Sequence, residues 1–305
     1  MILILATDGM EKSAIAALTA KGCEVETTFY APDALGAALT DADVVVVRSA
    51  TKVRAPHIDA AAAKGRLQLI IRGGVGVDNI DVKYAEEKGI TVRNTPRASS
   101  DAVAELALAL MFSVARFVSV AGHSMREDKW EKKAYAGGFE LAGKTVGIVG
   151  YGRIGQALGR RCQALGMRVL AQDIYQDKSL ENENMRYVEL DELLAQSDII
   201  SLHVPSLPGQ PLVCAETLAK MKDGVVLINT SRGSNIDEAA LLEALNSGKV
   251  YGAGLDVFAE EPSKNAELYK HPRISATPHI GASTGEAQKR IGAEIVDIIC
   301  AHYGL

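Results

Sequence analysis

Aromatic residues are scarce in this chain of 305 residues: they make up 5% of it, and Trp130 is the only tryptophan. The core must therefore be filled by Ala, Val, Ile, Leu and Gly, a composition that suits helices packed on a sheet. Cysteine is equally thin. Cys23, Cys162, Cys214 and Cys300 form no C-x-x-C pair and have no His at metal-ligand spacing. That argues against a disulfide framework and a thiolate metal site, and for buried free thiols in a reducing compartment, the cytoplasm. No apolar run approaches the ~18 residues needed to span a bilayer. The N-terminal MILILATDGM has a short apolar run and no basic leader, so it reads as a first buried strand rather than a signal peptide. Like charges form no block and the formal net charge is −5, which makes nucleic acid and anionic membrane poor partners. Repeats and low-complexity tracts are absent as well.

What the chain does have is alternation. Apolar strands at Ile2 to Ala6, Val25 to Phe29, Val44 to Arg48 and Leu67 to Arg72 are interleaved with helical stretches, the first from Lys12 to Lys21. Such a pattern makes parallel strands with helices on both faces. Asn94-Thr95-Pro96 breaks it, and Ser99 to Ala121 reads as one unusually apolar helix capped by Ser99 or Ser100. A helix apolar nearly all round must be buried, here between domains or across a dimer. A second doubly wound unit begins at Lys144, with strands near Thr145, Arg168, Asp198, Val225, Tyr251 and Ile274. The last helix, Ser283 to Tyr303, is long enough to return to the first unit. The expected division is therefore 1–95 with 283–305, and 96–282.

The run Thr145 to Gly155, TVGIVGYGRIG, carries the plainest chemical signal. An apolar strand stops at a glycine-rich turn where a helix begins, so backbone N–H groups and the helix's positive end face whatever sits there. In G-x-G-x-x-G, Gly150 permits the sharp turn, Gly152 leaves room for close approach to phosphates, and Gly155 lets helix pack on strand. Asp173 follows the next strand, placed to accept hydrogen bonds from a ribose and to repel a 2′-phosphate. A dinucleotide site for NAD rather than NADP is expected.

Ligands in open α/β sheets bind beyond the carboxyl ends of the strands. Three consecutive strands deliver one ionisable group each: Val225 to Asn229 leads to Arg232, Tyr251 to Phe258 to Glu261, and Ile274 to Thr277 to His279. Imidazole, with a pKa near 6.5, suits the proton transfer that accompanies hydride transfer from an alcohol. A carboxylate beside it orients the ring and favours the imidazolium. The Arg232 fork can grip a substrate carboxylate in two-pronged fashion. The loop Gly73-Gly74-Val75-Gly76 can present N–H groups to a carboxylate, and Arg48, Lys52, Arg54 and Arg72 suit an anionic, phosphorylated ligand.

With GYGRIG and Asp173, NTSRG at Asn229 to Gly233, GLDVFAEEP at Gly254 to Pro262 and TPHIGAST at Thr277 to Thr284, nearly the whole chain resembles the NAD-dependent D-isomer-specific 2-hydroxyacid dehydrogenases. The resemblance implies a flavodoxin-like substrate domain and a Rossmann NAD domain, both doubly wound parallel α/β sheets, with a cleft between them. It implies Arg232, Glu261 and His279 as the catalytic set. It places NAD against Gly150, Gly152, Arg153, Ile154, Gly155, Asp173, Val204, Thr230, Asp256, Gly281, Ala282 and Val75. The segments VRSATKV at Val47 to Val53, GVDNID at Gly76 to Asp81, and Lys129 to Thr145 are most similar to members acting on D-3-phosphoglycerate. They imply substrate contacts at Arg48, Ser49, Arg54, Gly74, Val75, Arg232 and His279, no metal, and a homodimer in which Lys132 and Lys133 reach the neighbouring subunit's substrate. Reductases of glyoxylate or hydroxypyruvate, and NAD-sensing corepressors, are the alternatives that the same family offers. Two departures stand out. Ser206 to Pro211 replaces a segment that is often threonine-rich, and no regulatory serine-binding domain follows Leu305, so feedback by serine through it is expected to be absent.

Overall fold

The computed structural model of the protein describes residues 1–206 and 209–305, so Leu207 and Pro208 of the departing segment lie outside the described residues. The chain divides into two compact units, Met1–Ser99 with Ala282–Leu305, and Ser100–Gly281.

The first unit runs β1 (Leu3–Ala6), α1 (Lys12–Ala20), β2 (Glu24–Glu26), α2 (Pro32–Leu39), β3 (Val44–Val47), α3 (Ala55–Lys64), β4 (Leu69–Arg72), α4 (Val82–Glu87) and β5 (Thr91–Asn94). Its sheet has the order β2-β1-β3-β4-β5, with every pair parallel. A strand covered on both faces needs no polar alternation, and β3 is four valines: Val45 and Val47 enter one core, Val44 and Val46 the other. β2 is shorter than the expected Val25 to Phe29, because as an edge strand it pairs only with β1 and leaves Phe29 exposed.

The second unit runs α5 (Ser100–Ala115), α6 (Val118–Arg126), β6 (Thr145–Val149), α7 (Arg153–Ala164), β7 (Arg168–Gln172), β8 (Met185–Tyr187), α8 (Leu190–Gln196), β9 (Ile199–Leu202), α9 (Ala215–Lys220), β10 (Val225–Asn229), α10 (Glu238–Ser247), β11 (Val250–Leu255), α11 (Ala266–Tyr269) and β12 (Ile274–Ala276). Its parallel sheet has the order β12-β11-β10-β9-β6-β7-β8. The winding reverses between β9 and β6, and the glycine turn stands at that switch point, where such sheets bind ligands. β8, a three-residue edge strand among polar residues, carries too little periodicity to be read from sequence. The chain then returns to the first unit as α12 (Gly285–Tyr303), which buries Ile291, Ile295 and Ile299 beside Ile4, Ala6 and Val46.

The apolar segment expected as one helix, Ser99 to Ala121, is two. α5 and α6 meet at a 67° bend, with Phe117 in the left-handed region at φ 56°. The Ala115 carbonyl accepts the Phe139 N–H at 3.0 Å, and the Phe117 ring docks 5.9 Å from Tyr135 and 6.0 Å from Tyr251. Capturing that carbonyl and seating that ring stop the helix. The apolar face of α5 is covered within its own unit, by α7 and the β10–β12 edge. Asp101 and Glu105 on its outer side both pair with Arg161 of α7 at 3.0 Å. Among the thiols, Cys23 and Cys162 are buried, whereas Cys214 and Cys300 are only half-buried; all four are free.

Candidate active site

Each glycine of the turn after β6 has its own reason. Gly150 sits at φ 91°, and a Cβ there would lie 2.7 Å from the His203 backbone. At Gly155 a Cβ would lie 2.2 Å from the Gly150 carbonyl oxygen, so only glycine lets α7 start against its own strand. A Cβ at Gly152 would meet nothing of the chain within 4 Å: packing does not require this glycine. Gly152 caps α7 and brings no side chain to cap it, so among the described residues the first-turn N–H groups from Arg153 onward keep donors aimed outward. Asp173, just past β7, accepts the Tyr151 N–H at 2.7 Å and the Tyr175 N–H at 3.0 Å through different oxygens, each keeping a lone pair for another donor. Opposite, after β9, the Val204 carbonyl accepts Asn235 Nδ2 at 3.1 Å. Thr230 is 8% exposed, and its buried hydroxyl meets no hydrogen-bond partner among the described residues, which leaves it able to bond a ligand. An uncapped helix start, an open glycine and an orphaned hydroxyl at one sheet edge fit a dinucleotide.

Arg232, Glu261 and His279 come together at the ends of β10, β11 and β12. Asn229 locks the turn below Arg232: its Oδ1 accepts the Ser231 N–H at 3.0 Å and Oγ at 2.8 Å, and its Nδ2 donates to the Arg232 carbonyl at 2.8 Å. Arg232 itself donates to the Ser231 carbonyl at 2.7 Å. β11 ends at Leu255, short of the expected Phe258, because Asp256 turns the chain. Its carboxylate accepts the Thr277 hydroxyl at 2.7 Å and the N–H groups of Ile280 at 2.8 Å and Gly281 at 2.9 Å, while its carbonyl accepts the His279 N–H at 2.8 Å. Burial pushes the Asp256 carboxyl up against these donors. The bonds hold His279 in the left-handed region, at φ 54°. Its Nδ1 lies 2.6 Å from Glu261 Oε2, and Glu261 Oε1 accepts the Phe258 N–H at 3.2 Å. Burial alone would raise the Glu261 carboxyl, but the hydrogen bond and charge of His279, the Phe258 N–H and the Arg232 guanidinium outweigh it and hold it below the usual range. Asn229, Asn235 and Thr277 escaped the sequence reading. An Asn closing a strand ahead of Thr-Ser is an Asx-turn signal that marks the first of them.

In the first unit the Gly74 N–H, expected to meet a ligand carboxylate, is already bonded to the Arg72 carbonyl at 2.9 Å. Among the described residues nothing accepts the Val75 N–H. The Arg72 guanidinium lies over Gly74, where a Cβ would fall 1.3 Å from Nη1. Arg54, read as a phosphate ligand, pairs with Asp81 at 2.8 Å and holds that carboxyl low. The Asp78-Asn79-Ile80-Asp81 stretch returns across the Arg54 loop, a contact no local pattern announces. Arg48 is half-buried beside Gly73, and Ser49 and Lys52 are exposed. Gly281 is buried, and the Ala282 carbonyl accepts Gln288 Nε2 at 2.7 Å. Lys132 and Lys133 lie on an exposed 3-10 turn, Lys132–Tyr135. Among the described residues no group of three His, Cys, Asp or Glu is placed to hold a metal ion, and no single helix is long and apolar enough to cross a membrane.

A dinucleotide turn at a switch point, with an acid–imidazole pair and an arginine at neighbouring strand ends, defines an NAD-linked oxidoreductase. Residues 108–281 match the model of the D-isomer specific 2-hydroxyacid dehydrogenase, NAD binding domain. The chain is 47% identical to a hydroxypyruvate reductase of Thermotoga maritima, over 98% of its own length and 97% of the relative's. It is 44% identical to a D-3-phosphoglycerate dehydrogenase of Methanocaldococcus jannaschii over 98% of its length, but spans 57% of that relative. A crystal structure of D-lactate dehydrogenase from Aquifex aeolicus with NAD and lactic acid superposes with a TM-score of 0.86 at 30% identity, covering 99% of this chain and 95% of the other. The chain belongs to the NAD-dependent D-isomer-specific 2-hydroxyacid dehydrogenase family.

Proposed function

We propose that the protein oxidises D-3-phosphoglycerate to 3-phosphohydroxypyruvate, with His279 as base, Glu261 as its orienting acid and Arg232 as the carboxylate clamp. The observation that carries the catalytic part is the 2.6 Å bond between His279 Nδ1 and a Glu261 held ionised by its surroundings. An ionised Glu261 accepts a proton-bearing Nδ1, which leaves Nε2 as the acceptor for the substrate hydroxyl proton. When NAD is bound, its nicotinamide supplies the acceptor for the hydride leaving C2. As the C2 oxygen becomes a carbonyl, the Arg232 guanidinium stabilises its charge and that of the neighbouring carboxylate. The turn from Gly150 to Gly155, Asp173, Val204, Thr230, Asp256, Gly281, Ala282 and Val75 are the proposed cofactor residues. The Val75 N–H, Arg48, Ser49, Lys52 and Arg72 are the first unit's proposed contribution to an anionic substrate. A cytoplasmic homodimer is proposed on the free thiols and on exposed Val118, Met125 and Trp130.

A second reading, reduction of unphosphorylated hydroxypyruvate, is favoured by the 47% identity to the Thermotoga hydroxypyruvate reductase and by the Asp81 partner that occupies Arg54. A panel of 2-hydroxy and 2-keto acids, with and without phosphate, followed at the NADH absorbance band decides between them. A kcat/KM at least tenfold higher for 3-phosphohydroxypyruvate than for hydroxypyruvate supports the first reading, and the reverse supports the second. In either case His279→Ala should cost about 10²–10⁴ in kcat with NAD affinity nearly unchanged. A variant with full turnover refutes the base assignment.

A further inference from the structure

Glu238 takes no part in the site described above, yet both its carboxylate oxygens are engaged. It opens α10, where the helix's positive end favours an acid. Oε1 accepts the Ala259 N–H at 2.8 Å, and Oε2 accepts Asn265 Nδ2 at 2.8 Å. Asn265 in turn caps α11 by accepting the Leu268 N–H at 3.3 Å. One side chain therefore grips both ends of the loop from 259 to 265, whose middle presents Glu261.

The same short stretch of chain carries Arg232. Only the 3-10 turn Gly233–Asn235 and two further residues separate it from Glu238, and a Cβ at Gly233 would fall 1.9 Å from the Phe258 carbonyl carbon. The segment bearing Arg232 and the loop bearing Glu261 are thus joined twice, by bare backbone packing at Gly233 and by the Glu238 carboxylate. Inside the loop, among the described residues, the Glu261 side chain is steadied by the 3.2 Å bond from the Phe258 N–H, besides its bond to His279. That long bond is weak restraint for a side chain that must stay within 2.6 Å of an imidazole.

We propose that Glu238 is a positioning residue: by clamping the loop from 259 to 265 it keeps Glu261 on His279 and within reach of the Arg232 charge. The inference rests on the catalytic reading of Glu261 and His279. Its test is a double-mutant cycle with Glu238→Ala, Glu261→Gln and both together, with rates for hydroxypyruvate and 3-phosphohydroxypyruvate read from NADH oxidation and NADH affinity from fluorescence. Glu238→Ala is expected to lower kcat about ten- to a hundredfold, as a small misplacement does, to leave the NADH Kd within about twofold, and to change the pH–rate profile in the same sense as Glu261→Gln. Glu238→Gln keeps an oxygen for the Ala259 N–H but turns an amide N–H₂ toward the Asn265 Nδ2 donor, so its kcat should fall between those of the parent and Glu238→Ala. In the Glu261→Gln background, Glu238→Ala should cost nothing more. Fully additive losses, or an alanine variant with parental kcat, overturn the clamp. If the alanine variant does not fold, Asn265→Ala replaces it in the same cycle, with the same non-additivity expected and additivity again overturning the proposal. Parental kcat in Glu261→Gln would mean that the catalytic reading has failed, whereas a loss there with none in Glu238→Ala means that only the clamp has.

Discussion

His203 shows how one residue ties stability to the dinucleotide side of the sheet. Its N–H extends the ladder to the Val149 carbonyl at 2.7 Å, Nε2 lies 2.8 Å from Ser201 Oγ, and Nδ1 is enclosed with no partner among the described residues. Burial pushes the imidazole down to about 4. The folded chain therefore keeps it neutral where an unfolded chain, titrating near 6.5, is already protonated. Stability from this residue is complete above about pH 6.5 and falls as pH drops toward 4, by at most about 3 kcal/mol. In urea unfolding at pH 7 and pH 4.5, His203→Gln should lose less of its midpoint than the parent does. Equal losses would show that the ring is protonated without penalty. The residue signal here was partial: a His after an apolar strand marks a strand end, but its enclosure depends on β6 and β9 lying side by side.

At the scale of elements, the strand–turn–helix from β6 to α7 separates folding from binding by one atom. Gly155→Ala puts a methyl into the Gly150 carbonyl and should destabilise the fold by about 1–3 kcal/mol. Gly152→Ala meets no atom of the chain within 4 Å. Its melting temperature should stay within a degree or two while NAD affinity drops at least tenfold, about 1.4 kcal/mol. Calorimetry with and without NAD checks both, and an unchanged NAD affinity in Gly152→Ala would remove this turn from the cofactor site. The turn was legible from its spacing because its three glycines fall within six residues between a strand and a helix, Gly150 for its positive φ and Gly155 for the Gly150 carbonyl beside it. The break between α5 and α6 was not, since it comes from Phe139 and two tyrosine rings distant in the chain. The ion pair of Arg54 was hidden for the same reason: its Asp81 partner arrives from a separate loop.

For the whole molecule, the two units have separate cores, and the last helix belongs to the first. Ile295, 2% exposed on α12, packs with residues of β1, β3 and β4. Ile295→Ala should cost about 2–5 kcal/mol, felt as lost amide protection in β1, β3 and β4 while strands β6, β9 and β10 keep theirs. Hydrogen exchange by mass spectrometry reads the two sheets separately, and uniform loss across both would mean that the units do not open independently. The alternation of strand and helix, the glycine-rich turn, the three ionisable groups behind three strands and the family itself could all be read along the chain, because apolar period and turn chemistry act over a few residues. The pairing of Glu261 with His279 was expected from their chemistry as well. That Asp256 braces the loop beneath His279, and that the Arg54 donor already has a partner in Asp81, could not be read there. Those pairings join residues from separate loops, and they exist only once parallel strands have brought their carboxyl ends to a common edge.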